Sequence, residues 1–179
     1  MEIREQKAAI RKALLAQRKA LHATEKAVLD VGICSRLEDL ILEKKPAVIH
    51  SYLPFEGEID IVPLLQKLLE QNITIVCPRS LPKRQMENLV LNSLTDLEEG
   101  RFGTLHPAGG NVYTGPIDFF IVPGIGFNRQ HYRLGFGAGY YDTFFASHPD
   151  GYKVGVCYPF QICEFPVEAH DVPLDEVIY

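Results

Sequence analysis

The 179-residue chain lacks the short patterns that usually reveal metal sites and reactive thiols. Its four cysteines, Cys34, Cys77, Cys157 and Cys163, include no Cys-x-x-Cys pair, and its six histidines form no His-Glu-x-x-His pattern. A structural zinc site is therefore not expected. Several of the cysteines fall within apolar runs, as buried, reduced thiols do. This usage is typical of a reducing cytosol, so we predict a cytoplasmic protein.

The chain also lacks long hydrophobic runs and an excess of basic residues. Charged side chains interrupt the apolar ones throughout residues 1–21, whereas a signal peptide or membrane span needs a continuous apolar stretch. The formal net charge of −5 at pH 7 argues against a nucleic-acid-binding protein. We therefore expect neither a membrane nor a nucleic acid as partner. Because no long exposed apolar helix is evident, we predict a monomer.

The hydrophobic pattern predicts an α/β fold. Leucine and isoleucine recur at helical spacing in residues 2–22, 25–44 and 60–72. Short, β-rich apolar runs follow a different pattern and predict buried strands at 47–53, 73–78, 117–123 and 152–158.

These elements alternate as they do in parallel sheets. Residues 47–78 read as a strand–helix–strand unit, and a second such unit runs from residue 117 through a glycine loop and a helix near Tyr140 to residue 158. Residues 79–116 are irregular, with a small hairpin expected near 87–94. We predict a single α/β domain over residues 1–179, with a mostly parallel twisted sheet, helices on both faces and two N-terminal helices.

The segment GFNRQHYRLGFGAGYYDTFF, residues 126–145, places Gly135, Gly137 and Gly139 at alternate positions. Glycine allows positive φ and a close approach of the backbone to a ligand. The segment matches neither the Walker A motif nor the dinucleotide Gly-x-Gly-x-x-Gly motif. A glycine-rich turn that enters a helix is nevertheless a natural anion site. Asp142, in the first turn of that helix, is either a Mg²⁺ ligand or a helix-stabilising acid, and the pattern leaves both open.

A second polar feature lies on the first predicted helix. Four basic residues, Arg4, Lys7, Arg11 and Arg18, fall within about 60° of one another on one face. Such a stripe either binds polyphosphate or is a solvated basic face, and its spacing alone does not decide. Ligands of parallel sheets bind beyond the carboxyl ends of the strands, where residues 55–60, Arg79 and the glycine loop are expected to meet.

Five stretches of the sequence, taken in order, resemble the 5-formyltetrahydrofolate cyclo-ligase family, also called 5,10-methenyltetrahydrofolate synthetases. They are KAAIRKALLAQR, FEGEID, CPR, VPGIGFNRQHYRLGFGAGYYD and HDVPLDEV, and RLGFGAGYYD is the most specific part. The resemblance implies an enzyme that uses ATP and Mg²⁺ to convert 5-formyltetrahydrofolate into 5,10-methenyltetrahydrofolate, ADP and phosphate. That reaction needs no protein nucleophile, which agrees with the lack of a recognisable Ser/His/Asp or Cys/His arrangement.

The resemblance also implies roles for particular residues, with Arg133 and Tyr140 positioning the reactants. The implied ATP-binding residues are Lys7, Arg11, Arg79, Arg133, Leu134, Gly135, Phe136, Gly137, Ala138, Gly139, Tyr140 and Tyr141. The implied folate-binding residues are Phe55, Glu58, Asp60, Gly137, Gly139 and Tyr140. The implied Mg²⁺ ligands are Asp142 and Asp171.

The chain departs from the family pattern in the loop and at the folate carboxylate. Phe136 and Ala138 stand where some members have basic residues, so backbone N–H groups are expected to carry more of the phosphate contact. Asp60 stands where glutamate is common. Two other functions remain open: a sugar-phosphate isomerase-like enzyme, which would not need ATP, and a folate-binding protein without turnover.

Overall fold

The computed structural model describes residues 2–55 and 57–179. It opens with two helices, α1 (Ile3–Ala20) and α2 (Ala23–Lys44), both within two residues of their predicted ends. A capping box between Glu2 and Glu5 starts α1. None of the helices in residues 2–55 and 57–179 is both long and apolar enough to span a bilayer.

The remaining elements follow in chain order. They are β1 (Val48–Ser51), α3 (Val62–Glu70), β2 (Thr74–Ser80), β3 (Met86–Val90), β4 (Leu97–Glu99), β5 (Leu105–Pro107), β6 (Phe119–Val122), β7 (Gly126–Phe127), β8 (Arg133–Leu134), α4 (Tyr140–Ser147), β9 (Tyr152–Val156) and β10 (Glu176–Ile178). Six of these strands form the main sheet, in the order β10-β9-β6-β1-β2-β3. The pairs β4–β5 and β7–β8 are small antiparallel ribbons.

The main sheet is parallel except at one edge. Its central register places Ile49 of β1 beside Ile75 of β2 and Phe119 of β6. Helix α3 connects β1 to β2, and the glycine loop with α4 lies between β6 and β9, so both predicted strand–helix–strand units are confirmed. Only β3 runs antiparallel, beside β2. The hairpin predicted near residues 87–94 is wrong in position, because residues 86–90 form the single strand β3, whose hairpin partner is β2 and whose turn lies at residues 81–85.

Alternate residues of the central strands point to opposite faces of the sheet and build two cores. On one face, Ile49 and Ile75 pack with apolar side chains of α2 and α3, among them Leu37 and Leu65. On the other face, Val48 and Val76 pack in a cluster that includes Phe144 and Phe145 of α4. Helices thus cover both faces of a mostly parallel sheet, which confirms the predicted fold class.

Candidate active site

A cavity of about 860 Å³ opens at the carboxyl ends of the central strands. Tyr52 follows β1, Ser80 ends β2 and Pro123 follows β6, and all three line the cavity. This is the edge of a parallel sheet at which ligands bind. The volume falls within the range of roughly 300–1,000 Å³ that is usual for small-molecule sites.

The glycine loop forms one wall of the cavity, and every residue from Arg133 to Asp142 contributes to the lining. Gly137 has a φ of 97° and Gly139 a φ of 73°, a region that residues with a Cβ rarely adopt. Gly139 precedes α4, and no side chain caps this helix. The N–H groups of its first turn are therefore available to an anion.

Lys7 of α1 reaches the cavity beside two acids. Its Nζ donates hydrogen bonds to Oε2 of Glu168 at 2.7 Å and to Oδ2 of Asp171 at 3.0 Å. Burial opposes the charge, but the hydrogen bonds with Glu168 and Asp171 outweigh it, and the pKa of Lys7 is raised above 10.5. An ammonium group has three N–H donors, so one remains for a ligand oxygen.

Two partly buried guanidinium groups lie beside the glycine loop. Arg11 donates from Nε to the carbonyl of Gly135 at 2.7 Å, and Arg133 places Nη2 3.5 Å from Oδ2 of Asp142. Burial and then the like charge of Arg133 lower the pKa of Arg11. Two neighbouring cations removed from water are unfavourable unless an anion lies between them. This part of the cavity is therefore suited to a phosphate.

Carboxylates occupy the same end of the cavity. Candidate metal-ligand atoms of Glu168, His170 and Asp171 lie within 4.8 Å of one another. Asp142 is outside that cluster and pairs with Arg133. The two aspartates predicted as Mg²⁺ ligands thus share one cavity, and each forms an ion pair with a basic side chain.

Aromatic side chains line the other part of the cavity. Phe55 is 45% exposed there, and the ring of Phe102 meets that of Tyr140 edge-on, with 6.1 Å between their centroids. The Tyr140 hydroxyl donates to the carbonyl of Leu81 at 2.7 Å, which fixes its ring. Glu58 accepts a hydrogen bond from the Phe55 N–H at 2.9 Å. Flat rings with a few fixed polar groups suit a flat heterocyclic ligand.

The rings of Tyr141 and His50 pack against each other beneath the loop, and neither side chain is suited to acid–base chemistry. His50 of β1 is fully buried, and burial lowers its pKa to about 3, so the ring stays neutral. It packs against Phe120, Tyr141 and Phe144. Burial raises the pKa of the Tyr141 hydroxyl, and the guanidinium of Arg133 lies 4.9 Å from the Tyr141 ring centroid.

Two of the predicted site residues lie outside the cavity lining. Arg79 faces Glu87 across the β2–β3 ladder and donates to its carboxylate from Nε at 3.0 Å and from Nη2 at 2.5 Å. Asp60 accepts a hydrogen bond from the N–H of Val62 at 3.1 Å, at the start of α3. Both side chains are held by local partners rather than brought together with the glycine loop.

Several residues that line the cavity were not among the predicted site residues. Among them are Arg4, Arg84, Phe102, Leu105, Glu168 and His170. Arg4 belongs to the basic face recognised on α1, and Glu168 is three residues from Asp171, so both had a usable signal in the sequence. Arg84 and Phe102 had none, because they lie in the irregular segment 79–116.

The buried carboxyl of Glu58 leads to a prediction about pH. Burial raises its pKa above 4.5, so its favourable contribution to folding is complete below pH 4.5 and is lost as pH rises through the folded-state value. Glu58→Gln removes this loss and keeps an acceptor for the Phe55 N–H. We expect the variant to gain stability over wild type as pH rises, by about 1.4 kcal/mol per unit of raised pKa. Thermal unfolding from about pH 4 to 8 measures this, and a constant difference would contradict it.

Comparison with known proteins decides the family. A model described as the 5-formyltetrahydrofolate cyclo-ligase family matches residues 3–179. The chain belongs to this family. It is 33% identical over 179 residues to a 5-formyltetrahydrofolate cyclo-ligase of Mycoplasma pneumoniae, covering 96% of this chain and 97% of the relative.

Solved structures of this family have the same fold. An NMR structure of Aquifex aeolicus 5,10-methenyltetrahydrofolate synthetase is 34% identical, with a TM-score of 0.82 and coverage of 96% of this chain and 88% of that one. The Mycoplasma pneumoniae 5,10-methenyltetrahydrofolate synthetase is 30% identical, with a TM-score of 0.80 and coverage of 96% and 97%. The comparisons confirm the family resemblance and the prediction that the chain is a cyclo-ligase. The roles of individual site residues stay predictions.

Proposed function

We propose that the chain catalyses the ATP- and Mg²⁺-dependent cyclisation of 5-formyltetrahydrofolate to 5,10-methenyltetrahydrofolate, with release of ADP and phosphate. The observation that carries this proposal is the pairing of two surfaces in one cavity. A cationic wall of Arg11, Arg133 and the glycine loop adjoins an aromatic wall of Phe55 and Tyr140. The first surface suits a polyphosphate and the second suits a pterin ring.

The proposed reaction has two steps. The γ-phosphoryl group of ATP moves to the formyl oxygen, because that oxygen is otherwise a poor leaving group. Nitrogen 10 of the folate then attacks the formyl carbon and loses its proton, and phosphate departs with the formyl oxygen. The protein contributes positioning and charge stabilisation, as in phosphoryl transfer generally.

The side chains around the loop have matching tasks in this proposal. The remaining N–H of the Lys7 ammonium, the Arg11 guanidinium and the N–H groups at the start of α4 bind phosphate oxygens. Arg133 stabilises the negative charge on the phosphoryl group during its transfer. The Tyr140 ring, fixed by its hydrogen bond to Leu81, lies against the pterin.

The acidic residues of the cavity fit Mg²⁺. This ion prefers oxygen ligands and is usually held by one or two carboxylates together with phosphate oxygens. Asp142 and Asp171 supply such carboxylates in the cavity that also holds the glycine loop, and we propose them as the ligands. When bound, Mg²⁺ would neutralise charge on the phosphates of ATP.

A single assay tests the proposal against its alternatives. The protein is mixed with 5-formyltetrahydrofolate, Mg²⁺ and ATP, and the absorbance of the methenyl product is followed. We expect product with ATP and none without it. Turnover of sugar phosphates without ATP would favour the isomerase alternative. Tight folate binding with no product under any condition would favour a binding protein.

The metal assignment makes a separate prediction. Asp142→Asn keeps the shape of the side chain but removes the charge, so the Mg²⁺ concentration for half-maximal rate should rise about tenfold or more, with a lower maximal rate. Asp150→Asn is the matched control, because Asp150 is exposed and lies outside the cavity lining. Thermal unfolding should change little in Asp150→Asn, whereas Asp142→Asn should lower the unfolding midpoint because it leaves the buried Arg133 guanidinium without its carboxylate, so rates are measured well below that midpoint. Wild-type rates at ordinary Mg²⁺ for Asp142→Asn would refute the assignment.

A further inference from the structure

The turn between β2 and β3 has an unusual backbone for its sequence. Two adjacent residues of this turn, Lys83 and Arg84, both have a φ of 60°. Tight hairpin turns with positive φ normally carry asparagine or glycine, because a longer side chain is strained there. The turn is closed by a hydrogen bond from the Leu81 N–H to the carbonyl of Gln85 at 2.8 Å. Strained residues persist where the surrounding structure fixes them, and they cluster at functional sites.

This turn is joined to the glycine loop. The Tyr140 hydroxyl donates to the carbonyl of Leu81 at 2.7 Å. The Arg84 guanidinium lies beside Gly139, since its Nη1 and Cζ would be 3.6 and 3.7 Å from a Cβ placed there. Gly139 is the residue before the first turn of α4. The hairpin therefore holds a cation at the point where the loop becomes a helix.

Among residues 2–55 and 57–179, no acidic side chain pairs with the positive charge of Arg84. Of the other cations that line the cavity, Lys7 and Arg133 pair with carboxylates and Arg11 donates to a carbonyl. Arg4, like Arg84, forms no ion pair with the residues described. The neighbour of Arg84, the start of α4, is itself electropositive. The loop from 134 to 141 contains no basic residue, so a basic group there comes from another element.

We propose that Arg84 binds a phosphate group of the nucleotide where the glycine loop meets α4. A guanidinium donates two parallel hydrogen bonds to an oxyanion, and the helix N–H groups face the same place. A carboxylate of the folate tail offers similar oxygens, but the helix start favours the phosphate. The inference rests on the proposed function and adds a phosphate contact, from an element outside the loop, that makes Arg84 an ATP-binding residue.

Two glycine substitutions at the same turn test the proposal. Arg84→Gly and Lys83→Gly each remove one exposed positive charge and one strained residue at a φ of 60°, but only Arg84 lines the cavity. Because glycine adopts positive φ readily, both variants should keep or slightly raise the midpoint of thermal unfolding. We expect Arg84→Gly to weaken ATP binding about tenfold or more and Lys83→Gly to change it less than about twofold. Affinity for 5-formyltetrahydrofolate should be unchanged in both, and Arg84→Lys should recover part of the ATP affinity.

Three ligands are titrated separately. They are ATP, 5-formyltetrahydrofolate with a monoglutamate tail, and 5-formyltetrahydrofolate with a longer polyglutamate tail. Equal losses of ATP affinity in the two glycine variants, or no loss in Arg84→Gly, would overturn the proposal. Loss of folate affinity alone would overturn it too and assign Arg84 to the folate tail. Wild-type protein that bound no ATP would overturn the proposed function together with this inference. Wild-type turnover with an unimpaired Arg84→Gly variant would overturn this inference alone.

Discussion

Replacing Lys7 with alanine is expected to weaken ATP binding by about 10-fold to 100-fold while changing folate binding little. A charge-assisted hydrogen bond to phosphate is worth roughly 1.5–3 kcal/mol, which sets this range. Lys7 is 7% exposed and is held by Glu168 and Asp171, so its ammonium is already oriented before ATP arrives. Calorimetric titration with each ligand measures the two affinities.

Lys12→Ala provides the control for this experiment. Lys12 lies on the same helix but is exposed and does not line the cavity, so its loss should leave ATP binding within about twofold. Lys7→Ala should also lower the unfolding midpoint, because it leaves Glu168 and Asp171 without their cation. Titrations are therefore run well below the midpoint of each variant. Equal losses for ATP and folate, or a similar ATP loss in Lys12→Ala, would show that α1 is only a scaffold.

The parts of the fold that the sequence predicts are those with strong periodicity. The strands around Ile49 and Ile75 are buried on both faces, so they read as continuous apolar runs, and the leucines of α3 recur at helical spacing between them. The edge strands are different. β10 is three residues long and contains Glu176, and β3 includes Glu87 and Asn88, so neither shows an apolar run. Their pairing is decided by neighbours in space.

In the candidate site, too, the residues that could be predicted are those with a local sequence pattern. Lys7 and Arg11 were predictable because helical spacing places them on one face, and the glycine loop because its residues are contiguous. The pairing of Lys7 with Glu168 joins residues 161 positions apart and leaves no local trace. The position of Arg84 in the site could not be predicted for a further reason. Its turn has positive φ but lacks the asparagine or glycine that normally indicates such a turn in a sequence.

The glycine loop gives the second large effect, because Gly137→Ala is expected to remove most ATP binding. The φ of Gly137 is 97°, which lies beyond the left-handed region that alanine tolerates, so the backbone must rotate. A Cβ there would also lie 3.4 Å from Cζ of Arg11, the guanidinium that borders the proposed phosphate site. The backbone rotation displaces N–H groups that must point at phosphate oxygens, and the added methyl group occupies space beside the Arg11 guanidinium, so we expect a loss of about 100-fold or more.

Gly109→Ala separates this effect from simple backbone strain. Gly109 has a similar φ of 83°, is exposed and lies outside the cavity lining, and a Cβ added to it would meet no other atom within 4 Å. Both alanine variants should lose about 1 kcal/mol of folding free energy, because each forces a Cβ into positive φ. Only Gly137→Ala should lose ATP affinity per folded molecule. If it were destabilised to the same extent as Gly109→Ala yet bound ATP normally, Gly137 would serve only to turn the chain, and the phosphate would have to bind elsewhere in the cavity.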